Sequence, residues 1–282
     1  MISFKNHFKT VLLMGGLMGL FMLVGSQWGQ GGLIIALLFG GLMNVVAWFF
    51  SDTIAIKSMQ GRELNEQNAP ELVAMVRRLA DNAGLPMPKV YLCPHDAPNA
   101  FATGRSPSKS AVAVTRGLMN LMDEREVEGV IAHELAHIKN RDTLISCIAA
   151  TMAGVLAWIA QSFFFFGGGR REGGHPLLGL LVVILAAVGA AVIKAMISRT
   201  REFGADEVGA QIAGTPDGLI SALQKLDAYS RRIPLEQPNP AMNNLFIVEP
   251  FSGGAKSLVN IFATHPPVER RVAALAALRG RI

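Results

Sequence analysis

The sequence predicts an α+β membrane protein that is mainly helical, contains a small β-sheet and crosses the bilayer with four transmembrane helices. Of its 282 residues, 51% are hydrophobic and only 17% are charged, a composition typical of membrane proteins. Four apolar segments approach or exceed the ~20 residues that span a bilayer as a helix. Short alternating stretches between residues 90 and 115 indicate strands, whereas the other polar stretches have helical periodicity.

The four apolar segments divide the chain into membrane and soluble parts. They cover residues 10–28, 32–50, 144–167 and 177–197. We therefore expect two N-terminal transmembrane helices in residues 1–50, the first part of a soluble domain in 51–143, a transmembrane hairpin in 144–197 and the second part of the domain in 198–282. Arg170 and Arg171 in the loop of the hairpin leave a re-entrant or protein-buried geometry open.

Basic residues near the apolar segments predict the orientation in the membrane. Lys57, Lys139 and Arg201 flank the ends that face the soluble parts, whereas the connection 27–31 carries no charge. Both termini and the soluble domain should therefore lie on the cytoplasmic side. The net charge of +5 is modest, and no basic stretch is interleaved with aromatic residues, so we do not expect nucleic-acid binding.

Helices and strands alternate in the soluble parts. An amphipathic pattern over residues 70–83 starts with proline and stops before Gly84, which predicts a helix. Asp123 and Glu126 have the spacing of a capping box, which predicts where a later helix begins. Three strands are predicted at 90–93, 99–103 and 111–115, and three further helices at 200–213, 217–229 and 266–279.

The segment from His133 to His137 has the spacing of a catalytic metal site. Residues at i and i+4 share one face of a helix, so the two imidazoles can bind one ion. Glu134 lies about 100° further round the helix and can reach a metal-bound water without being a ligand. Zinc lowers the pKa of such a water towards neutrality, and a carboxylate can take its proton.

Two histidines need at least one more protein ligand for zinc. Glu202 and Asp206, just after the fourth apolar segment, are four residues apart and share one helix face. One carboxylate can bind the metal while the other holds the free ring nitrogen of a histidine. The alternative is an ordinary charged helix start, since Arg201 and Glu207 are also present.

Together with the histidine motif and the Glu202-x-x-x-Asp206 pattern, two apolar segments lie before the motif and two lie between the motif and Glu202. In this combination the chain resembles the HtpX family of membrane zinc metalloproteases. The stretches Asn-Ala-Phe-Ala-Thr-Gly at 99–104 and Thr-His-Pro-Pro at 264–267 add to the resemblance. The resemblance covers essentially the whole chain. It implies a zincin-like metalloprotease domain, one Zn²⁺ per chain, a bacterial cytoplasmic (inner) membrane location and a role in stress response. It also implies similarity to the prenyl-protein-processing endopeptidases of eukaryotes.

The same resemblance implies roles for individual residues. His133, His137 and Glu202 would bind zinc, Glu134 would be the general acid and base, and Asp206 would support a ligand. His265 could stabilise the oxyanion that forms on the attacked carbonyl; the alternative is an ordinary residue at the start of a helix. Asn140 and Asp142 could support the ligands or merely mark the cytoplasmic end of the third apolar segment, which they precede.

A predicted strand near the site offers a way to bind substrate. Asn99, Ala100, Phe101 and Ala102 could pair with an extended substrate backbone by β-augmentation. The alternative is a purely structural strand with Phe101 in the core.

The expected function is that of a membrane-integral zinc-dependent endopeptidase. It would cleave unfolded or damaged membrane proteins at the cytoplasmic face, with polypeptide substrates and the lipid bilayer as partners; no feature specifies an oligomeric state. One alternative is a processing peptidase for a specific lipidated peptide. Another is a non-catalytic zinc-binding membrane scaffold, although closed structural zinc sites usually have four protein ligands, whereas three are evident here.

Overall fold

The computed structural model describes residues 29–146, 148, 199–232 and 266–282, together with most of 11–26. This part of the chain is mostly helical with one small mixed sheet, as predicted. The helices are α1 (Gly29–Ser58), α2 (Pro70–Ala83), α3 (Arg116–Leu121), α4 (Glu124–Lys139), α5 (Arg199–Ala213), α6 (Asp217–Arg232) and α7 (Val268–Ala276). The strands are β1 (Arg62–Leu64), β2 (Lys89–Cys93), β3 (Ala100–Ser106) and β4 (Lys109–Thr115).

Helix α1 is the one helix of the described residues that is long and apolar enough to cross a membrane. It has 30 residues, and large apolar side chains such as Ile35 and Leu38 are exposed on its surface. The four predicted transmembrane helices are therefore not confirmed as a set. The predicted segments 144–167 and 177–197 lie almost entirely outside the described residues.

The described residues of the first apolar segment are largely helical and pack against α1. The Asn44 amide donates a hydrogen bond to the Met14 carbonyl oxygen at 3.1 Å, and the rings of Phe21 and Phe39 meet edge to face with centroids 5.4 Å apart. The two pairs run in opposite directions along the chain, so the segments are antiparallel, as expected for a hairpin.

The sheet has the strand order β1-β2-β4-β3, with β2 and β4 parallel and the other pairs antiparallel. The three predicted strands are present, but β3 starts one residue after Asn99 and continues to Ser106. Gly104 adopts a φ of +130° at an irregularity near the end of β3, and a Cβ there would collide with the Lys109 carbonyl. Strand β1 was not predicted because its three residues show no apolar alternation.

The two faces of the sheet pack against different parts of the protein. One face joins the main core with α2, α4 and α6, and its buried residues include Ala100, Ala102, Val112 and Val114. The other packs against the C-terminal end of α1, through Ala55, Ile56, Met59, Cys93, Phe101 and Ala113. The helix that could cross the membrane is therefore joined directly to the sheet.

The predicted helices of the soluble parts agree closely with the structure. The predicted helix 70–83 is α2 with the same bounds, and Gly84 closes it in the left-handed conformation. The capping box is formed, because the side chains of Asp123 and Glu126 each accept a hydrogen bond from the other's backbone N–H. Helix α7 is shorter than predicted at both ends. It begins only at Val268, because Pro267 disfavours helical geometry at the residue before it and is itself the N-cap, with an extended ψ of 135°.

Candidate metal centre

Helix α4 places the two histidines of the motif side by side. The Nε2 atoms of His133 and His137 are 3.2 Å apart, and their rings are nearly perpendicular at 86°. Val130, Ile131 and Leu135, on other sides of the helix, are fully buried in the core. This packing holds α4 in place, so both imidazoles are presented towards one point.

Helix α5 brings Glu202 to the same point. Its carboxylate oxygens lie 3.6 Å from the Nε2 atom of His137 and 3.8 Å from that of His133. Gly209, two turns further along α5, permits this approach, because a Cβ there would lie 2.9 Å from the Cα atom of His133. The approach of two helices that are distant in the sequence thus assembles the three donors.

The donor set fits a zinc ion. Ligand atoms of His133, His137 and Glu202 all lie within 4.8 Å of one another. Ligands at ~2.1 Å from zinc in a tetrahedron are roughly 3.4 Å apart, close to the separations seen here, and two imidazoles with a carboxylate are a common catalytic set. The His137 side chain is 17% exposed, against 2% for His133 and 6% for Glu202, so the site is most open on the His137 side.

Glu134 is buried next to the three donors. Burial raises the pKa of its carboxyl, and the charge of Glu202 adds to this, while His133, His137 and a hydrogen bond from the Ala102 backbone N–H act in the opposite direction. The net shift is upward. Strand β3 therefore contacts the side chain that the sequence predicts to be the base, and a carboxylate with a raised pKa is suited to accept a proton near neutral pH.

A carboxylate lies behind each histidine. The Nδ1 atom of His133 is 3.0 Å from an oxygen of Asp206, and that of His137 is 3.3 Å from an oxygen of Asp142. Such contacts fix the ring orientation of a metal-binding histidine and make it more basic. The sequence predicted that one of the two carboxylates on α5 would hold a ring nitrogen of a histidine, the resemblance assigned this role to Asp206, and the role of Asp142 was left open.

Arg271 completes the cluster and was missed by the sequence reasoning. Its side chain is fully buried and donates two hydrogen bonds to Asp206, at 2.6 and 2.8 Å. The available signal was an arginine on the apolar stripe of α7, whose other members are Val268, Val272 and Leu275. Nothing local indicates that this stripe faces Asp206.

The other predicted site residues have different outcomes. Phe101 is buried against α1, on the opposite face of the sheet from α4, as the structural alternative for this residue expected. Asn99 lies before β3, and its backbone groups bond to Thr115. Ala100 and Ala102 belong to β3, an edge strand of the sheet. His265 lies outside the described residues.

Comparison with known proteins places the site in a family. The model of peptidase family M48 matches residues 66–279, which include every residue of the metal centre. The chain belongs to peptidase family M48. Its M48 relatives include a protein named Protease HtpX homolog from Desulfatibacillum aliphaticivorans, 49% identical over 282 residues, with 97% of this chain and 90% of the relative covered. The Protease HtpX homolog of Pelotomaculum thermopropionicum is 47% identical, with 97% and 99% covered.

A solved structure has a similar fold. The crystal structure of S. mikatae Ste24p superimposes with a TM-score of 0.54 at 17% sequence identity, covering 97% of this chain and 66% of that one. The resemblance to the HtpX family is thus confirmed, and this M48 protein is a membrane metalloprotease of the hydrolase class. Enzymatic function is accordingly favoured over a zinc-binding scaffold.

The surroundings of His137 predict a pH-dependent affinity for zinc. Burial lowers the pKa of His137. The hydrogen bond with Asp142 and the negative charges of Glu202 and Glu134 outweigh this effect and raise the pKa above its usual value, to about 9. Because the shifted pKa lies above the usual value, the metal-free site holds a proton at neutral pH that zinc must displace. Zinc affinity should rise roughly tenfold per pH unit up to about pH 9 and then level off.

Competition with a chelating dye at a series of pH values measures this dependence. His95→Gln is a suitable control, because His95 bonds to the Met59 carbonyl oxygen away from the site. Asp142→Asn should shift the plateau to lower pH, since it removes the negative charge behind the hydrogen bond that raises the His137 pKa. An affinity that is constant between pH 7 and the plateau would contradict proton displacement from His137.

Proposed function

We propose that this M48 protein is a zinc-dependent endopeptidase that cleaves unfolded or damaged membrane proteins at the cytoplasmic face of a bacterial inner membrane. In this proposal His133, His137 and Glu202 bind one zinc ion and Glu134 is the general acid and base. The observation that carries it is the convergence of the three donors within 4.8 Å, with Glu134 buried beside them.

The chemistry follows from the position of each side chain. When bound, zinc would polarise the substrate carbonyl and lower the pKa of a water molecule. Glu134 would take a proton from that water and later deliver it to the leaving amine, a transfer aided by the raised pKa of its carboxyl. Asp206 and Asp142 would keep the Nε2 atoms of the two histidines directed at the metal by holding their Nδ1 atoms.

We also propose that the edge of β3 binds substrate as an additional strand. Ala102 donates its backbone N–H to Glu134, so the outward edge of β3 faces the catalytic residues. Backbone N–H and C=O groups that point outward from an edge strand recur at every second residue. Those of Ala100 and Gly104 therefore lie along the same edge as those of Ala102. The Gly104 carbonyl already accepts a hydrogen bond from the Thr143 hydroxyl at 2.9 Å, and the Ala102 N–H is donated to Glu134, so pairing would centre on the backbone groups of Ala100 and on the Ala102 carbonyl.

Backbone methylation of a peptide substrate tests this edge. N-methyl groups should raise KM at every second position, by roughly tenfold for each hydrogen bond lost, and leave the intervening positions nearly unchanged. The intervening positions are the control for steric effects. Equal effects at all positions would contradict strand pairing.

The soluble parts, residues 51–143 and 198–282, are proposed to form one catalytic domain at the membrane surface. The packing of α5 against α4 supports a single domain, because the two parts of the chain supply donors to the same site. The Arg105 guanidinium lies 5.0 Å from the centre of the Phe49 ring, near the end of the apolar stretch of α1, which supports a position close to the bilayer. The proposed membrane parts are 1–50 and 144–197, with the orientation that the flanking basic residues favour.

Proteoliposomes test the substrate class and the side of cleavage. The protein is reconstituted with a multi-pass membrane protein, either folded or destabilised by a proline within a span, that carries different tags on its two sides. We expect cleavage of the destabilised form only, in loops on the side of the catalytic domain, and none with Glu134→Gln. Cleavage of a lipidated peptide but of neither membrane protein would instead support a processing peptidase.

A further inference from the structure

Arg271 is a buried charge that the chemistry proposed above does not use. None of its side chain is exposed, although a guanidinium is costly to remove from water unless it is paired. Its Nε and Nη2 atoms donate to the two oxygens of Asp206, at 2.8 and 2.6 Å. This is the two-bonded geometry in which arginine binds a carboxylate most specifically.

The partner of Arg271 is the carboxylate that supports His133. Asp206 Oδ1 accepts a hydrogen bond from Arg271 and also lies 3.0 Å from the Nδ1 atom of His133. The three side chains therefore form a chain of contacts from α7 through α5 to α4, and the Nη2 atom of Arg271 also lies 3.5 Å from the Nε2 atom of His133 itself.

Arg271 is also near the third donor. Its Nη1 atom lies 3.6 Å from an oxygen of Glu202, so the guanidinium contacts both acidic residues that α5 directs towards α4. The two carboxylates would otherwise repel each other at the site, and a fully buried positive charge reduces that repulsion. Helix α7 thereby contacts two carboxylates of α5 and, through Asp206, acts on His133 of α4.

We propose that Arg271 is a positioning residue of the metal centre: by holding Asp206 against His133 it sets the orientation of that imidazole, so that the packing of α7 completes the zinc site. The inference rests on the proposed ligand role of His133. A positioning role differs from a general stabilising role in two ways. Replacement of Arg271 should weaken zinc binding specifically, and this effect should depend on Asp206.

The test measures zinc affinity of the full-length protein in detergent by competition with a chelating dye. Arg271→Gln should bind zinc roughly 10–100-fold more weakly, the range typical of losing a partner behind a ligand. Arg271→Lys keeps the charge but not the two-bonded geometry, and should weaken binding about tenfold. Arg270→Gln is the matched control, since Arg270 is the exposed neighbour on the same helix, and it should bind as wild type does.

A double-mutant cycle separates positioning from stability. In an Asp206→Asn background, Arg271→Lys should change zinc affinity less than about threefold, because the two-bonded contact with the carboxylate, which lysine cannot make, is already lost while the positive charge is kept. Wild-type zinc affinity in Arg271→Lys overturns the proposal, and so does a full tenfold loss in the Asp206→Asn background. Arg271→Lys also keeps the test decisive if Arg271→Gln does not fold.

His133→Ala in the same titration tests the underlying site. If this variant binds zinc as tightly as wild type, the ligand assignment fails, whatever the result for Arg271. If it loses zinc while Arg271→Lys does not, only the positioning role fails.

Discussion

Replacing Glu134 with glutamine is expected to reduce casein cleavage by roughly 10³-fold while the protein keeps its zinc. Glutamine has almost the same shape but cannot take a proton from water at neutral pH. Zinc should remain bound, because the three proposed donors are supplied by other residues. Zinc content and the rate of casein hydrolysis are measured on the same purified sample.

Glu128→Gln is the matched control for this substitution. Glu128 lies on the same helix and forms an ion pair with Arg78, whose side chain is 52% exposed. Exposed pairs of this kind contribute little to stability, so the control should retain both zinc and activity. Cleavage at the wild-type rate by Glu134→Gln would contradict its role as the base, and loss of zinc would show that Glu134 is itself a ligand.

Replacing Glu202 with glutamine should remove zinc and activity together. The substitution takes away the one carboxylate among the three donors, and a neutral amide oxygen is a weaker ligand for zinc. The loss of affinity should exceed the roughly 10–100-fold typical of losing a residue behind a ligand. Metal analysis after dialysis against a weak chelator, together with casein hydrolysis, measures both effects.

The control for Glu202→Gln is Glu207→Gln on the same helix, because Glu207 is exposed and points away from the cluster. It should keep its zinc and its activity. Full zinc occupancy in Glu202→Gln would assign the third protein ligand to another residue.

The parts of the fold that were predicted correctly depend on local patterns. The capping box before α4 and the glycine after α2 are formed because each satisfies helix-end groups within a few residues. The pairing of His133 with His137 follows from helical geometry alone. These features need no knowledge of the tertiary structure.

The parts that could not be predicted depend on packing between distant segments. Arg271 reaches Asp206 across 65 residues of sequence, and only the docking of α7 against α5 brings them together. Asp142 contacts His137 because the chain turns after α4, where Arg141 has a φ of +59°. Strand β1 is formed by pairing with β2 rather than by its own composition.

One measurement tests most directly the claim that these helices assemble a catalytic zinc site. Crystals of the zinc-loaded Glu134→Gln protein are measured at the zinc absorption edge, and an anomalous difference map locates the metal. The account predicts one peak, about 2.0–2.2 Å from the Nε2 atoms of His133 and His137 and from an oxygen of Glu202. A peak bound by other residues, in a protein that contains one zinc per chain, would contradict it.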